Sequence, residues 1–359
     1  MAVCKRPAAA VDCHSQAKPA KKRRFVVARR TAPTVTKKPA AFATTADYEV
    51  DTTSSLGEGA FGVVYKARHR ATGQTVAIKF DAYADGDPRE LLREARFLEA
   101  CSGNPHVVGF RCVVRDPPTG ELGLVMEFVP GPSLRSILFR RRRAAEPPLP
   151  EATVRTFMRQ LLMGVRGMQD RNIVHRDIKP ENVMLAEEGG EVLLKICDFG
   201  LAISASDPPP HKQAGTKMYT APEVLMGKPG HDALVDAWSL GCVMAELLVG
   251  ERLLQRGGVM EALFDLEMCA EEVAYLWTIF GVLGTPDDTT WPGFASLPRA
   301  ATMPPLELEQ RSRLREMFPE EMLSEEGFQV LNGLLTCNPE ERLSAADALK
   351  LPWFAAAAD

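Results

Sequence analysis

Three glycines inside a run of strand-forming residues constrain this chain more than any other feature of its sequence. Gly57, Gly59 and Gly62 form the pattern GxGxxGxV, and glycine lets a backbone turn tightly and lie against phosphate oxygens. Glycine triplets also open dinucleotide-binding folds, but there the third glycine starts a helix. Here residues 63–67 and 75–80 both favour strands. The sequence therefore predicts a glycine-rich β-hairpin that faces a phosphate group.

A lysine and a choice of two carboxylates come next. Lys79 lies near the end of the strand that follows the hairpin, seventeen residues beyond Gly62. A lysine on this strand can reach the α and β phosphates of a nucleotide if a carboxylate holds it in place. The predicted helix that begins near Pro88 offers Glu90 and Glu94, one turn apart. We favour Glu94, although helical spacing alone leaves both open.

Three polar motifs follow a long predicted amphipathic helix. His175-Arg-Asp-Ile-Lys-Pro-Glu-Asn182 comes first, Asp198-Phe-Gly200 follows a predicted strand at 192–196, and Ala221-Pro-Glu223 comes last. Any one of these motifs occurs by chance in unrelated chains. In order with the glycine loop and the strand lysine, they resemble the signature set of the eukaryotic protein kinases over nearly all of residues 48–355.

This resemblance implies both a fold and a reaction. The fold would be α+β with two lobes, a small antiparallel β lobe with one helix at about 48–128 and a larger, mainly helical lobe at about 129–355. ATP and Mg²⁺ would bind between the lobes, and the γ-phosphoryl of ATP would pass to serine or threonine of protein substrates. The competing hypothesis is a catalytically silent scaffold, which predicts the loss of at least one essential polar residue.

The resemblance also assigns roles to individual polar residues. Asp177 would orient the substrate hydroxyl and take its proton late, Lys179 would contact the transferring phosphate, and Thr216 would pair with both. Asn182 and Asp198 would each hold a Mg²⁺ ion, since hard oxygen ligands suit magnesium. Together with Lys79, none of these positions has lost its polar side chain, which argues against the scaffold hypothesis.

Nucleotide binding is assigned to three parts of the chain: the glycine loop, the lysine with its carboxylate, and a hinge that begins after Met126. The residues are Leu56, Gly57, Glu58, Gly59, Ala60, Phe61, Gly62, Val63, Val64, Lys79, Glu94, Glu127 and Val129. Three further matches look structural. Glu223 and Arg342 resemble a buried ion pair, and Asp236 resembles an aspartate that binds the backbone of the catalytic loop.

Other stretches narrow the resemblance to the cyclin-dependent kinases and their relatives. They include Asp236-Ala-Trp-Ser-Leu-Gly-Cys242 and Leu283-Gly-Thr-Pro-Asp287. Ala60 and Phe61 stand where those kinases carry a Thr-Tyr pair whose phosphorylation blocks activity, so that control should be absent. The helix that meets a cyclin in relatives keeps only Arg93-Glu94 of its pattern, which leaves the need for a cyclin-like activator open.

The activation segment departs from the family as well. Residues 207–215 contain no Ser, Thr or Tyr, while Arg93 and Arg176 of the phosphate-binding arginines are kept and Ile203 replaces a third. A phosphate orders such a loop through arginine pairs, and we hypothesise that Asp207 supplies a weaker, permanent anion. Thr220 replaces an arginine associated with proline after the acceptor, so the substrate preference of the relatives cannot be transferred.

Charge divides the chain near residue 47. Residues 1–47 contain eleven Lys and Arg and two acidic residues, which gives this part a net charge of +9. Because the whole chain has a net charge of −4, the remainder has a net charge of −13. This part lacks helical or strand periodicity and is predicted to be a disordered basic tail. Its cluster from Lys18 to Arg24 suits a nuclear import receptor, and the alternative is a solvated arm without a partner. We expect nuclear localisation and no direct binding of nucleic acid.

The sequence also predicts an intracellular protein that does not enter a membrane. The longest uncharged apolar stretch, residues 273–286, falls short of the ~20 residues that a membrane-spanning helix needs. No apolar block follows the amino terminus as a secretory signal would. The eight cysteines lack CxxC spacing and are predicted to be free thiols, mostly in the core.

Overall fold

The computed structural model describes residues 42–59, 62–81, 88–206, 215–230, 232–253, 271–303 and 311–355. Residues from Phe42 onward belong to one compact unit. Most of the predicted basic tail, including the cluster from Lys18 to Arg24, lies outside the described residues. Ala60, Phe61 and Asp207 lie outside them as well, so the predictions for these residues stay predictions.

A six-stranded sheet occupies the first part of the described chain, where an antiparallel β lobe was predicted. Its strands are β1 (Ala43–Thr44), β2 (Tyr48–Gly59), β3 (Gly62–His69), β4 (Thr75–Phe80), β5 (Phe110–Arg115) and β6 (Leu122–Glu127). Their order is β1-β5-β6-β4-β3-β2, and every neighbouring pair is antiparallel except β1 with β5. The predicted helix is α1 (Pro88–Ala100), which packs against β5 and β6 through its buried face of Leu91, Ala95 and Leu98.

The first strand shows that order begins earlier than the sequence suggested. Ala43 pairs with Val114 and Thr44 with Arg115, so β1 begins four residues before the predicted end of the tail at residue 47. A hydrogen bond from Thr45 Oγ1 to Asp116 Oδ1, 2.6 Å long, helps to fix the turn that follows β1. Main-chain pairing with an open strand edge needs no hydrophobic pattern, which is why periodicity could not reveal it.

The glycine-rich hairpin forms from β2 and β3. The two strands pair up to Gly59 and Gly62, on either side of residues 60–61. Gly62 has a φ of +130°, and a Cβ added there would lie 2.0 Å from the carbonyl oxygen of Phe80. Only glycine fits this close approach of β3 to the end of β4.

The larger part of the described chain is mainly helical. Its helices are α2 (Leu134–Arg143), α3 (Glu151–Gln169), α4 (Pro222–Leu225), α5 (Leu234–Val249), α6 (Glu271–Leu283), α7 (Leu314–Met317), α8 (Glu325–Leu334), α9 (Ala345–Ala348) and α10 (Pro352–Ala355). Helices α3 and α5 pack against each other at its centre. The apolar face of the predicted amphipathic helix, α3, is buried, and α5 is buried on all sides from Val235 to Leu248. The α+β fold with two lobes is confirmed.

Two short strand pairs carry the polar motifs of the large lobe. Their strands are β7 (Ile173–Val174), β8 (Val183–Glu188), β9 (Glu191–Ile196) and β10 (Ile203–Ser204). Strand β8 pairs with β9 and strand β7 with β10, both antiparallel. The first motif lies between β7 and β8, and the second between β9 and β10. The backbone of Cys197 donates to the carbonyl of Asn182 at 2.9 Å, so the two motifs meet.

None of the helices in the described ranges combines the length and the apolar character that crossing a membrane requires. The apolar stretch from residue 273 forms most of α6, and its residues from Val273 to Phe280 are buried. The cysteines in the described part of the chain are free thiols, as predicted. They are Cys101, Cys112, Cys197, Cys242 and Cys337.

Candidate active site

Strand β4 directs Lys79 into a cleft between the sheet and the helical part. Its Nζ donates to both carboxylate oxygens of Glu94 at 2.9 Å each, and both side chains are buried. Glu90 is exposed, one turn away on α1. Glu94 is therefore the partner of Lys79, because it lies on the inner face of α1 between Leu91 and Leu98.

Lys79 also joins the small lobe to the second polar motif. Its Nζ donates to Asp198 Oδ1 at 2.8 Å. Burial lowers the pKa of Lys79, but the charges of Glu94 and Asp198 outweigh burial and raise it overall. Burial raises the pKa of Asp198, but the Lys79 ammonium outweighs it, so this pKa lies below its usual value. The two groups therefore stay charged at neutral pH.

The loop between β7 and β8 gathers a second set of polar groups around Asp177. Lys179 Nζ donates to Asp177 Oδ2 at 2.7 Å and to Thr216 Oγ1 at 2.8 Å. The Thr216 hydroxyl and backbone N–H both donate to Asp177 Oδ1, at 2.8 and 3.0 Å. The structure thus brings together three residues that are up to 39 positions apart in the sequence.

Asn182 and Asp198 supply the oxygen atoms that a metal ion would need. The Asn182 amide nitrogen donates to the Asp177 carbonyl at 2.9 Å and to Asp177 Oδ2 at 3.0 Å, so Oδ1 is the Asn182 atom left for a cation. No cluster of three or more His, Cys, Asp or Glu within the described residues could enclose a metal. Magnesium characteristically binds one or two protein oxygens and completes its shell with phosphates and water, so this donor set fits Mg²⁺.

Two buried acids hold the polar loop and the segment after Thr216. Asp236, wholly buried, accepts from the backbone N–H groups of His175 at 2.7 Å and Arg176 at 2.8 Å. Burial raises the pKa of Asp236. Glu223, on α4, binds Arg342 through two hydrogen bonds of 2.7 Å. The structure therefore contains both contacts that the sequence predicted here.

Lys79, Glu94, Asn182 and Asp198 line one cleft of about 590 Å³, and Asp177 contacts Asn182 beside it. The residues predicted to bind nucleotide that line it are Leu56, Gly57, Glu58, Gly59, Gly62, Val64, Lys79, Glu94, Glu127 and Val129, and Asn182 and Asp198 line it as well. Val63 does not line it, contrary to the prediction. Side chains alternate along a strand, so the inward direction of Val64 places Val63 on the other face of the sheet.

The side chain of the hinge residue Glu127 binds other parts of the protein. Its Oε2 accepts from the backbone N–H of Gly109 at 2.9 Å and from Lys195 Nζ at 3.1 Å. The carboxylate is thereby tied to the chain before β5 and to β9. This leaves the backbone of the hinge, between the buried residues Met126 and Val129, to face a nucleotide base.

Comparison with known proteins agrees with this geometry. Residues 50–354 match the sequence model of the protein kinase domain. The chain is a protein kinase. Because its curated relatives carry cyclin-dependent kinase names, it belongs to the cyclin-dependent kinase-like group.

Three relatives illustrate this similarity. The kinase is 45% identical over 307 residues to cyclin-dependent kinase F-2 of Oryza sativa subsp. japonica, covering 83% of this chain and 88% of that protein. It is 36% identical over 317 residues to cyclin-dependent kinase G1 of Arabidopsis thaliana, covering 84% of this chain and 48% of that protein. It is 35% identical over 305 residues to cyclin-dependent kinase 20 of Homo sapiens, covering 83% and 81%.

Several cleft residues of the kinase escaped the sequence prediction. They are Ala77, Val108, Pro130, Gly131, Pro132, Ser133, Ser136, Glu181, Met184 and Cys197. For one of them the sequence contained a signal. Ala77 precedes Lys79 by two positions on β4 and therefore shares its face. Burial raises the pKa of the Cys197 thiol to about 12, so it stays protonated at neutral pH.

The arginines of the activation region contact backbone in this structure. Arg93 Nη2 donates to the Gly200 carbonyl at 3.1 Å, and Arg176 Nε donates to the Leu201 carbonyl at 2.8 Å. Ile203, in the place of the third arginine, is buried on β10. Both arginines therefore hold the chain immediately after Asp198-Phe-Gly200.

Proposed function

We propose that this kinase transfers the γ-phosphoryl of ATP to serine or threonine hydroxyls of protein substrates. One observation carries the choice of acceptor: Lys179 Nζ bridges Asp177 and Thr216. A lysine two residues after the aspartate, paired with a threonine of the activation segment, is the arrangement that serine/threonine kinases of the resembled family keep.

The chemistry follows from the contacts of Asp177. Both of its carboxylate oxygens are held by fixed donors, so the carboxylate cannot rotate away from an incoming hydroxyl. Asp177 would accept the hydroxyl hydrogen bond, align the oxygen with the γ-phosphorus and take the proton late. Lys179 would offset the negative charge of the transferring phosphoryl group, because its ammonium already lies beside Asp177.

Other residues would bind and orient the nucleotide. Lys79, positioned by Glu94, would contact the α and β phosphates under the glycine hairpin. When bound at Asn182 and Asp198, Mg²⁺ would neutralise charge on the β and γ phosphates. The scaffold alternative gains no support, since all four essential polar residues are present. Lys79, Asn182 and Asp198 line one cleft, and Asp177 contacts Asn182.

The decisive experiment is phosphorylation of a serine, threonine and tyrosine peptide array with labelled ATP and Mg²⁺ by the purified full chain alone. We expect Ser and Thr peptides to be labelled, and Asp177→Asn and Lys179→Met to lose at least ~100-fold in kcat. Glu90→Gln is the matched control, because Glu90 is an exposed acid one turn from Glu94, and it should keep the activity. Labelling that persists in Asp177→Asn would refute the proposal.

Activator and localisation are proposals as well. The relatives are named cyclin-dependent kinases, yet the helix around Arg93-Glu94 departs from their pattern, so we propose that basal turnover does not require a cyclin. Turnover that appears only after a cyclin-like protein is added would contradict this. We also propose import into the nucleus through residues 18–24, tested by imaging the tagged full chain with Lys21, Lys22, Arg23 and Arg24 changed to Ala.

A further inference from the structure

Arg135, in the first turn of α2, binds three groups that lie far apart in the sequence. Its Nε donates to Glu181 Oε1 at 2.8 Å, and its Nη2 donates to the Tyr219 hydroxyl at 2.6 Å. Both terminal nitrogens contact Glu246, at 2.5 and 3.2 Å. All three nitrogens of the guanidinium are therefore in use, and its partners lie 46, 84 and 111 residues away.

The groups that surround this guanidinium form a mostly buried acidic pocket. The Glu246 side chain is 1% exposed, and the Tyr219 hydroxyl donates to Glu246 Oε2 at 2.6 Å. Burial raises the pKa of Tyr219, so this hydroxyl stays protonated. A buried carboxylate requires a compensating cation, and Arg135 supplies it. Burial lowers the pKa of Arg135, but Glu246 and Glu181 outweigh burial and raise it.

The pocket lies next to the place where the proposed reaction occurs. Glu181 lines the cleft and immediately precedes Asn182. Ser133 and Ser136, on either side of Arg135, line the same cleft. Tyr219 follows Thr216 by three residues, and Thr216 contacts Asp177. A polypeptide whose hydroxyl reaches Asp177 must therefore pass close to the mouth of this pocket.

The pocket also retains an acceptor that Arg135 does not use. Glu181 Oε2 is buried and has no hydrogen-bond partner among the described residues. Glu181 Oε1 already accepts from Arg135 and lies 3.5 Å from Arg252 Nη2. A guanidinium that entered from the cleft would find a carboxylate oxygen there, but Arg135 occupies the space beside it.

We propose that Arg135 is a specificity-determining residue. Its guanidinium occupies an acidic pocket that would otherwise bind an arginine of the protein substrate. This proposal rests on the proposed function, since it concerns the acceptor peptides of the same site. The wild-type kinase then derives no benefit from an arginine near the acceptor. Removal of the Arg135 guanidinium leaves Glu246 buried beside Tyr219 without its cation and makes the pocket selective for a basic side chain.

The test compares the wild type, Arg135→Ala and Arg140→Ala on one set of acceptor peptides in which a single arginine is moved through each flanking position. Arg140 is the matched control, because it is exposed on the same helix and its side chain donates to the Ser136 carbonyl within that helix. We expect Arg135→Ala to lower KM at least tenfold for one arginine position. The wild type and Arg140→Ala should show no such change.

A second measurement covers the case in which Arg135→Ala folds poorly. Methylguanidine at millimolar concentration should raise the Tm of Arg135→Ala and restore its turnover on a peptide without arginine, but leave the wild type unchanged. Arg135→Lys keeps the charge and should not gain the preference for arginine.

Each result decides the matter. A wild type that labels no peptide contradicts the proposed function. An active wild type, with an Arg135→Ala variant that loses kcat uniformly and does not respond to methylguanidine, shows that Arg135 only stabilises the fold and overturns this inference.

Discussion

The ion pair between Glu223 and Arg342 allows a quantitative prediction about stability. Arg342 donates to both oxygens of Glu223 at 2.7 Å, and the two side chains are 0% and 3% exposed. Arg342 also donates to the carbonyls of Leu234, Thr336 and Cys337, at 2.9 to 3.1 Å. It thereby joins the end of the activation segment to the chain after α8.

The contacts set the size of the effect. In Arg342→Met the Glu223 carboxylate stays buried without a cation, and three carbonyls lose their donor. Loss of one partner of a buried ion pair costs ~3–5 kcal/mol, a large part of the ~5–15 kcal/mol that stabilises a typical protein. The double variant with Glu223→Gln should cost at least ~1 kcal/mol less than the sum of the single variants, because the charge left unpaired is removed.

The measurement is urea-induced unfolding followed by circular dichroism, with kcat determined in parallel. The control is Lys350→Met, because Lys350 pairs with Asp347 at the same 2.7 Å but with 73% and 56% of the two side chains exposed. Loss of that exposed pair should have no measurable effect on stability. If Arg342→Met is no less stable than Lys350→Met, burial is not what makes the Glu223 pair important, and the reasoning fails.

Three further predictions concern the cleft and the residues beside it. Thr216→Val removes the hydroxyl that joins Asp177 and Lys179, so kcat should fall about tenfold, or ~1.4 kcal/mol, while KM for ATP stays constant; a change in KM alone would contradict this. Gly62→Ala should raise KM for ATP and lower the Tm, because the added Cβ would meet the Phe80 carbonyl. The control is Gly57→Ala, whose added Cβ meets no atom within 4 Å and should leave the Tm unchanged. The pKa of Asp198 is lowered because the Lys79 charge outweighs burial. The ionised carboxylate therefore stabilises the fold above its usual pKa of 3.8, and this stability is lost as pH falls through the lowered pKa. In Asp198→Asn the free energy of unfolding should depend less on pH in this acid range, and an unchanged dependence would contradict the assignment.

Local sequence carried much of the site. Lys79, Asp177, Asn182 and Asp198 lie in short motifs whose order predicted that they meet. In the structure Lys79 contacts Asp198, Asn182 contacts Asp177, and all but Asp177 line one cleft. The helical spacing of α1 left two glutamates open, although the inner face of Leu91, Ala95 and Leu98 contained the signal for Glu94. Periodicity is informative here because a helix fixes which side chains share a face.

Other features could not be read from the sequence. The Glu127 side chain turns to Gly109 and Lys195, and that direction depends on packing between β5, the hinge and β9. The partners of Arg135 are even farther away along the chain, and no spacing rule links residues on α2, on α5 and in the activation segment. Contacts of this kind follow from the way helices and loops pack, which a single sequence does not contain.

Strand β1 has a practical consequence for work with shorter forms of this kinase. A protein trimmed to begin at residue 48 would still contain the domain match, which starts at residue 50, but it would lack the pairing of Ala43 and Thr44 with β5. The uncovered margin of β5 would then offer unpaired amide and carbonyl groups to a neighbouring molecule. Self-association in such samples would come from the trimming, and retaining the chain from Phe42 avoids it.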